Sequence, residues 1–247
     1  MINSFEGLSD AEVAIAAARA GADVVRDMYG RRLDRIDKGA GDFATEADVE
    51  AEKAIIGVIR SARPGDAVLG EEGGRQGAAG AERQWLVDPL CGTLNYAVGN
   101  MLVAVNVALR GGVDARLAPT SATRLVDVNL DPPFPSAPGW RAVDLLAHPG
   151  FVERFRPRVV STTLALTWVA AGKRAAYITD GGDLSGSVHF AAGIALCRAA
   201  GCVVTGIDGE PLTESGRGLL VAADTETHEL LMSMFSESVG AGQACSA

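Results

Sequence analysis

An Ala- and Val-rich run leads from Ser9 to Tyr29 and predicts a helix. Ser9-Asp10-Ala11-Glu12 opens it as a capping box, with serine as N-cap and glutamate three residues on, and Gly30 stands where a C-cap glycine belongs. A second helix is predicted from Thr45 to Arg63: Thr45 opens it, Glu46 and Asp48 suit its positive end, and Pro64-Gly65 stops it. Short apolar runs at Ala67 to Leu69, Trp85 to Val87 and Leu102 to Leu109 predict strands, the second ending at Asp88-Pro89 and the third closed by Gly111-Gly112. Further strands are expected at Val159-Val160, Ala175 to Ile178 and Val203-Val204. Helices are expected at Thr163 to Ala171, Phe190 to Ala200 and Thr227 to Phe235. Between Asp131 and Gly139 stand Pro132, Pro133, Pro135 and Pro138, which mark a junction or surface excursion. The pattern reads as an α+β half over residues 1–131, followed by an α/β half over residues 132–247.

Composition narrows the partners. With 31 acidic against 22 basic residues the net charge is −9, which argues against a nucleic-acid or anionic-membrane surface, since both call for a basic face. A small phosphorylated molecule stays open, because local positive charge, a metal or backbone amides suffice for it. The stretch Met101 to Leu109 is broken by Asn106 and is too short to span a bilayer. Glu6, Asp10 and Glu12 come close behind the first residue, unlike a signal peptide. Cys91, Cys197, Cys202 and Cys245 form no metal or disulfide spacing, so a reducing cytoplasm is the expected setting.

The densest chemistry lies in Trp85-Leu86-Val87-Asp88-Pro89-Leu90-Cys91-Gly92-Thr93-Leu94-Asn95-Tyr96. A strand delivers an acid at its end, proline turns the chain, and Gly-Thr opens the next element, which sets a carboxylate beside backbone amides. Read alone, Asp88 is equally well a helix cap. The segment resembles the Asp-Pro-Ile/Leu-Asp-Gly-Thr-x-Asn-Phe signature of the inositol monophosphatase family. Asp42-Phe43-Ala44-Thr45-Glu46-Ala47-Asp48 resembles the family's Asp-x-Val-Thr-x-x-Asp, and Gly70-Glu71-Glu72 its Gly-Glu-Glu. Phe190-Ala191-Ala192-Gly193 with Ala199-Ala200-Gly201-Cys202 resembles its late helix.

The resemblance implies a layered α-β-α-β-α sandwich, a magnesium-dependent phosphatase of small polyol, sugar or nucleotide monoesters, and a homodimer. It also implies site residues. Glu71, Asp88 and the Leu90 carbonyl would bind one magnesium, Asp48 would complete the metal shell, and Thr93 would position the attacking water. Gly92 and Thr93 would offer amides to phosphate, and Asp180 lies near an acid that contacts substrate hydroxyls, although a plain turn reads equally well there. Lys38 resembles a family lysine ahead of the Thr-x-x-Asp stretch, and as a loop lysine it is expected to be exposed.

Two positions depart from the pattern. The second signature aspartate is Cys91, and the aspartate of the family's Trp-Asp pair is His189. Both would hold a second magnesium, and a thiol and an imidazole suit that hard ion poorly, so one magnesium site is expected. Three readings stand: decay to a binding protein; a surviving phosphatase, with zinc an option at Asp88, Cys91 and His189; or new chemistry on a Cys91–His189 nucleophile and base. Gly111-Gly112 also leads almost directly to Thr123, so a hairpin of the family is expected to be shortened.

Overall fold

The computed structural model describes residues 7–39, 42–78, 81–110, 117–130, 142–180, 184, 187–212 and 218–244. The chain forms two compact units, Met1–Asp114 with Val188–Ala195, and Ala115–Ser187 with Leu196–Ala247. The proline-rich junction, Gly111-Gly112, Cys245 and residues 181–183 after Asp180 all lie outside the described residues.

In the first unit, helix α1 (Asp10–Met28) opens with the expected box: the Glu12 amide donates to Ser9 Oγ, and Glu12 Oε2 accepts from the Ser9 amide at 2.8 Å. Its buried positions, Val13, Ala17, Gly21 and Val25, recur every four residues and make one stripe. Gly21 lets α1 lie close to its neighbour, for a Cβ there would fall 2.7 Å from Ile55 Cδ1. Strands β1 (Arg35–Gly39) and β2 (Asp42–Thr45) form an antiparallel pair that runs straight into helix α2 (Glu46–Ala62). Next come β3 (Ala67–Gly70), β4 (Gly74–Gln76), β5 (Gln84–Cys91), the one-turn helix α3 (Thr93–Ala97) and β6 (Ala104–Arg110). The sheet has the order β4-β3-β5-β6, with β3 parallel to β5 and the other pairs antiparallel. Val13, Ala17, Ile55, Ile59, Val68, Trp85 and Val87 close the core between the two long helices and this sheet. Burying a side chain of the larger kinds contributes about 1.5–3 kcal/mol.

Strand β5 corrects the expected stop at Asp88-Pro89. It continues to Cys91 across a bulge, where Asp88 faces Asn106 and Cys91 faces Ala104. One extra residue on β5 absorbs the proline, which has no amide to give the ladder.

The second unit contains β7 (Leu125–Asn129), α4 (Ala142–Ala147), α5 (Pro149–Arg154), β8 (Arg156–Val159), α6 (Leu164–Ala170) and β9 (Ala176–Thr179). Helix α7 (Val188–Ala200) gives its first eight residues to the first unit; β10 (Val203–Thr205), β11 (Leu219–Ala222) and α8 (Thr225–Ala244) then complete the second. The sheet order is β10-β11-β9-β7-β8, with parallel pairing only among β9, β7 and β8. Alternate residues Val126, Val128, Ala176, Ile178, Leu220 and Ala222 join a core with Leu145, Phe151, Leu231 and Phe235. Asp127 is fully buried and is held by both carboxylate oxygens to Arg174 Nε, at 2.9 and 2.8 Å. Cys197 and Cys202 pack in the interior. His148 and His228 are half-buried: His148 Nε2 lies 3.1 Å from Glu237 Oε2, and His228 Nε2 lies 2.9 Å from Thr205 Oγ1.

Candidate active site

Three segments of the first unit gather two acids and an imidazole. Glu71 is the first residue of the turn joining β3 to β4, where its amide extends the β3–β5 ladder by donating to the Val87 carbonyl at 3.0 Å. Asp88 stands at the β5 bulge and is fully buried. His189 is the second residue of α7. One ligand atom from each lies within 4.8 Å of the other two. His189 Nδ1 is 2.8 Å from Asp88 Oδ2 and 3.7 Å from Glu71 Oε2. Asp88 also accepts from the Leu90 amide at 3.2 Å and from Asn106 Nδ2 at 3.4 Å, so its buried carboxylate is hydrogen-bonded through both oxygens.

The charges of the group shape one another. Burial and the nearby Asp88 carboxylate push Glu71 up to about 7, against the pull of His189 and Lys38. The hydrogen bond to Asp88 raises His189 above the ordinary imidazole value, although burial works the other way. Lys38 on β1 reaches Glu71 Oε1 at 2.9 Å and Glu72 Oε1 at 2.7 Å. Burial opposes its charge, yet these two carboxylates hold its pKa above the usual lysine value.

A second set adjoins along the chain. Thr45 is the N-cap of α2, and Asp48 answers it: Asp48 Oδ2 accepts from the Thr45 amide at 2.8 Å and from its hydroxyl at 2.6 Å. Asp48 Oδ1 lies 2.9 Å from Thr93 Oγ1, which is also 3.1 Å from the Leu90 carbonyl. The turn that returns Thr93 over Leu90 passes through Gly92 at φ 96°, where a Cβ would meet the Leu102 carbonyl at 3.0 Å. Burial raises the pKa of Asp48, while the Thr45 and Thr93 hydrogen bonds favour its ionised form.

The structure thus joins Glu71, Asp88 and His189 in one group, and Asp48, Thr93 and Leu90 in another. Cys91 is half-buried beyond the bulge; the group around Asp88 and His189 has Glu71 as its third member, where the zinc option named Cys91. Asp180 is buried at the end of β9, in the second unit. Lys38 is exposed, as expected, but it sits on a strand rather than in a loop, and it pairs with both glutamates of the Gly-Glu-Glu turn. Its partners lie more than thirty residues away, and no local spacing announces them. Asn106 carried a signal that pointed to no partner: it is a polar residue breaking an apolar strand, and it faces Asp88.

Known proteins resemble this chain in sequence and fold. The sequence profile of the inositol monophosphatase family matches residues 9–112 and 137–239. The inositol-1-monophosphatase of Mesorhizobium japonicum is 33% identical over 226 residues, covering 78% of this chain and 84% of its own length. The crystal structure of the extragenic suppressor protein SuhB from Bartonella henselae superposes with a TM-score of 0.74 at 26% identity, over 91% of this chain and 97% of that one. The Thermotoga maritima IMPase shares the fold with a TM-score of 0.76 at 18% identity, over 94% of this chain and 99% of that one. These likenesses bear out the mixed α/β layered fold, and the profile spans the segments that carry Glu71, Asp88, Thr93 and His189: the chain belongs to the inositol monophosphatase family.

Proposed function

We propose that the protein hydrolyses a small phosphate monoester of polyol, sugar or nucleotide type, with one magnesium ion held by Glu71, Asp88 and the Leu90 carbonyl. The observation that carries this reading is the Thr93 hydroxyl, 2.9 Å from Asp48 Oδ1 and 3.1 Å from the Leu90 carbonyl. The donors fit the ion, since two carboxylates and a carbonyl are the hard oxygens magnesium prefers. When bound, the ion would supply Lewis-acid polarisation of the phosphate and acidify a coordinated water.

The chain's own residues do the rest. Asp48 accepts the hydrogen bond of the Thr93 hydroxyl, which leaves a lone pair of that oxygen to accept a hydrogen bond from the attacking water; the water's proton passes to Thr93 as the Thr93 proton passes to Asp48. The Gly92 and Thr93 amides hold phosphate oxygens, and Lys38 keeps Glu71 oriented. His189 fills the ground of a second-metal ligand and anchors Asp88 with Nδ1. A cytoplasmic homodimer belongs to the same reading; the exposed Leu94, Val98, Met101 and Leu102 side chains support it, and light scattering tests it.

A second reading is favoured by the donor set itself. Two carboxylates and an imidazole, Glu71, Asp88 and His189, form an ordinary zinc set. Protein stripped with chelator and reloaded with magnesium, manganese or zinc, then offered a broad panel of phosphate esters, separates the two. Magnesium-restored phosphate release with one ion per chain supports the first reading. Release with zinc alone supports the second, and no release with any metal overturns both.

A further inference from the structure

Helix α2 carries a second buried carboxylate, Glu52, one turn beyond Asp48 on the same face. Glu52 is 4% exposed, and no cation is paired with it among the described residues. Its partners are the backbone of the β3–β4 turn: Oε2 accepts from the Glu72 amide at 2.9 Å and Oε1 from the Gly73 amide at 2.7 Å. Two successive amides of a tight turn form a concave anion cradle, and here an internal carboxylate fills it. The glycines on either side leave it room. A Cβ on Gly70 would lie 2.5 Å from Glu52 Oε2, and one on Gly73 would lie 2.7 Å from Oε1.

That turn is only three residues long, Glu71 to Gly73, between the paired Gly70 and Gly74. It presents Glu71 to Asp88 and His189, and Glu72 to Lys38. We propose that Glu52 is a positioning residue: its carboxylate clamps the turn through the Glu72 and Gly73 amides and thereby sets where Glu71 stands. Glu52 itself touches neither ion nor substrate. It acts on Glu71 through the backbone, and its effect on metal binding rests on the function proposed above. Helix α2 then registers two parts of the site at once, Thr93 through Asp48 and Glu71 through Glu52.

Glu52→Gln tests this, because it keeps size and one acceptor but turns an NH2 group against an amide donor. Three measurements are made on wild type, Glu52→Gln and Ile59→Val, the last a core change on the same helix. They are magnesium affinity by calorimetry, melting temperature in chelator, and amide hydrogen exchange at Glu72 and Gly73. Glu52→Gln should weaken magnesium binding about tenfold and speed exchange at both amides. Ile59→Val, even with a similar loss of melting temperature, should leave affinity within twofold. High magnesium should bring the kcat of Glu52→Gln back near wild type.

An affinity unchanged in Glu52→Gln, or lowered equally in Ile59→Val, overturns the positioning role. If Glu52→Gln fails to fold, Gly73→Ala perturbs the same contact from the turn side and is read by the same criteria. A wild-type protein that binds no magnesium overturns the phosphatase reading instead. The clamp is then decided by exchange in metal-free protein, where lost protection in the variant upholds it and unchanged protection ends it.

Discussion

His189 Nδ1 lies 2.8 Å from Asp88 Oδ2 and so sets a nitrogen donor beside that carboxylate, whereas a second magnesium in the proposed reading would call for oxygen. Replacing His189 and Cys91 together by Asp restores two oxygen ligands. The double variant should bind a second magnesium, seen as a rise in calorimetric stoichiometry, and release phosphate faster at saturating magnesium. Two bound ions without any release would move the cause from the ligands to the shape of the substrate mouth. Thr93→Val tests the other group. It removes the hydroxyl between Asp48 and Leu90 with little change in volume, so kcat should fall by about 10²-fold or more while KM changes little. His228, far along the chain, offers a pH readout. Burial lowers its pKa from 6.5, against the pull of Glu229, so its neutral form belongs to the folded protein. Its contribution is present above 6.5 and lost as pH falls through the depressed value. His228→Gln should therefore gain in melting temperature relative to wild type as pH drops from about 7.5 to about 5.5; a difference independent of pH would rule this out. Of these residues the sequence displayed Thr93 and His189 through their motif positions. It hid the burial of His228, because a helix position alone does not say which face meets Thr205.

The elements that could be read beforehand are those specified by neighbours in sequence. The Ser9–Glu12 and Thr45–Asp48 boxes are three-residue contacts, and both helices begin where those contacts place them. The end of β5 could not be read the same way. Asp88-Pro89 looks like a stop, yet pairing with β6 carries the strand on to Cys91, and that pairing depends on residues more than ten positions away. β1, β2, β4, β7 and β11 escaped for a related reason: their short runs become strands through partners rather than through their own pattern. Gly92 ties element to site. With φ at 96° and the Leu102 carbonyl 3.0 Å from a would-be Cβ, Gly92→Ala should destabilise the protein by about 1–2 kcal/mol in urea titration. It should also lower kcat, because Thr93 is the next residue; unchanged kcat in a folded variant would separate the turn from the chemistry.

At the scale of the molecule, the second unit holds a buried ion pair that serves stability alone. Asp127 is fully buried in the second unit and depends on Arg174, which also stacks over Trp168 at 4.6 Å. Arg174→Ala would leave that carboxylate uncompensated, at a loss of about 3–5 kcal/mol. Adding Asp127→Asn should recover most of it, with magnesium affinity unchanged throughout. A pair that melts no higher than the single variant would argue against this. The described helices include none long and apolar enough to cross a membrane.

The first unit is discontinuous in sequence: it ends at Asp114 and resumes for Val188–Ala195. A contiguous gene fragment ending at residue 114 would therefore encode Glu71, Asp88, Asp48 and Thr93 but omit His189. No single cut between 115 and 187 leaves the first unit whole, so that unit is not a module that recombination could transplant as one continuous piece. A chain nicked in that interval should lose the Asp88–His189 pair on dilution and regain it only when the two fragments reassociate.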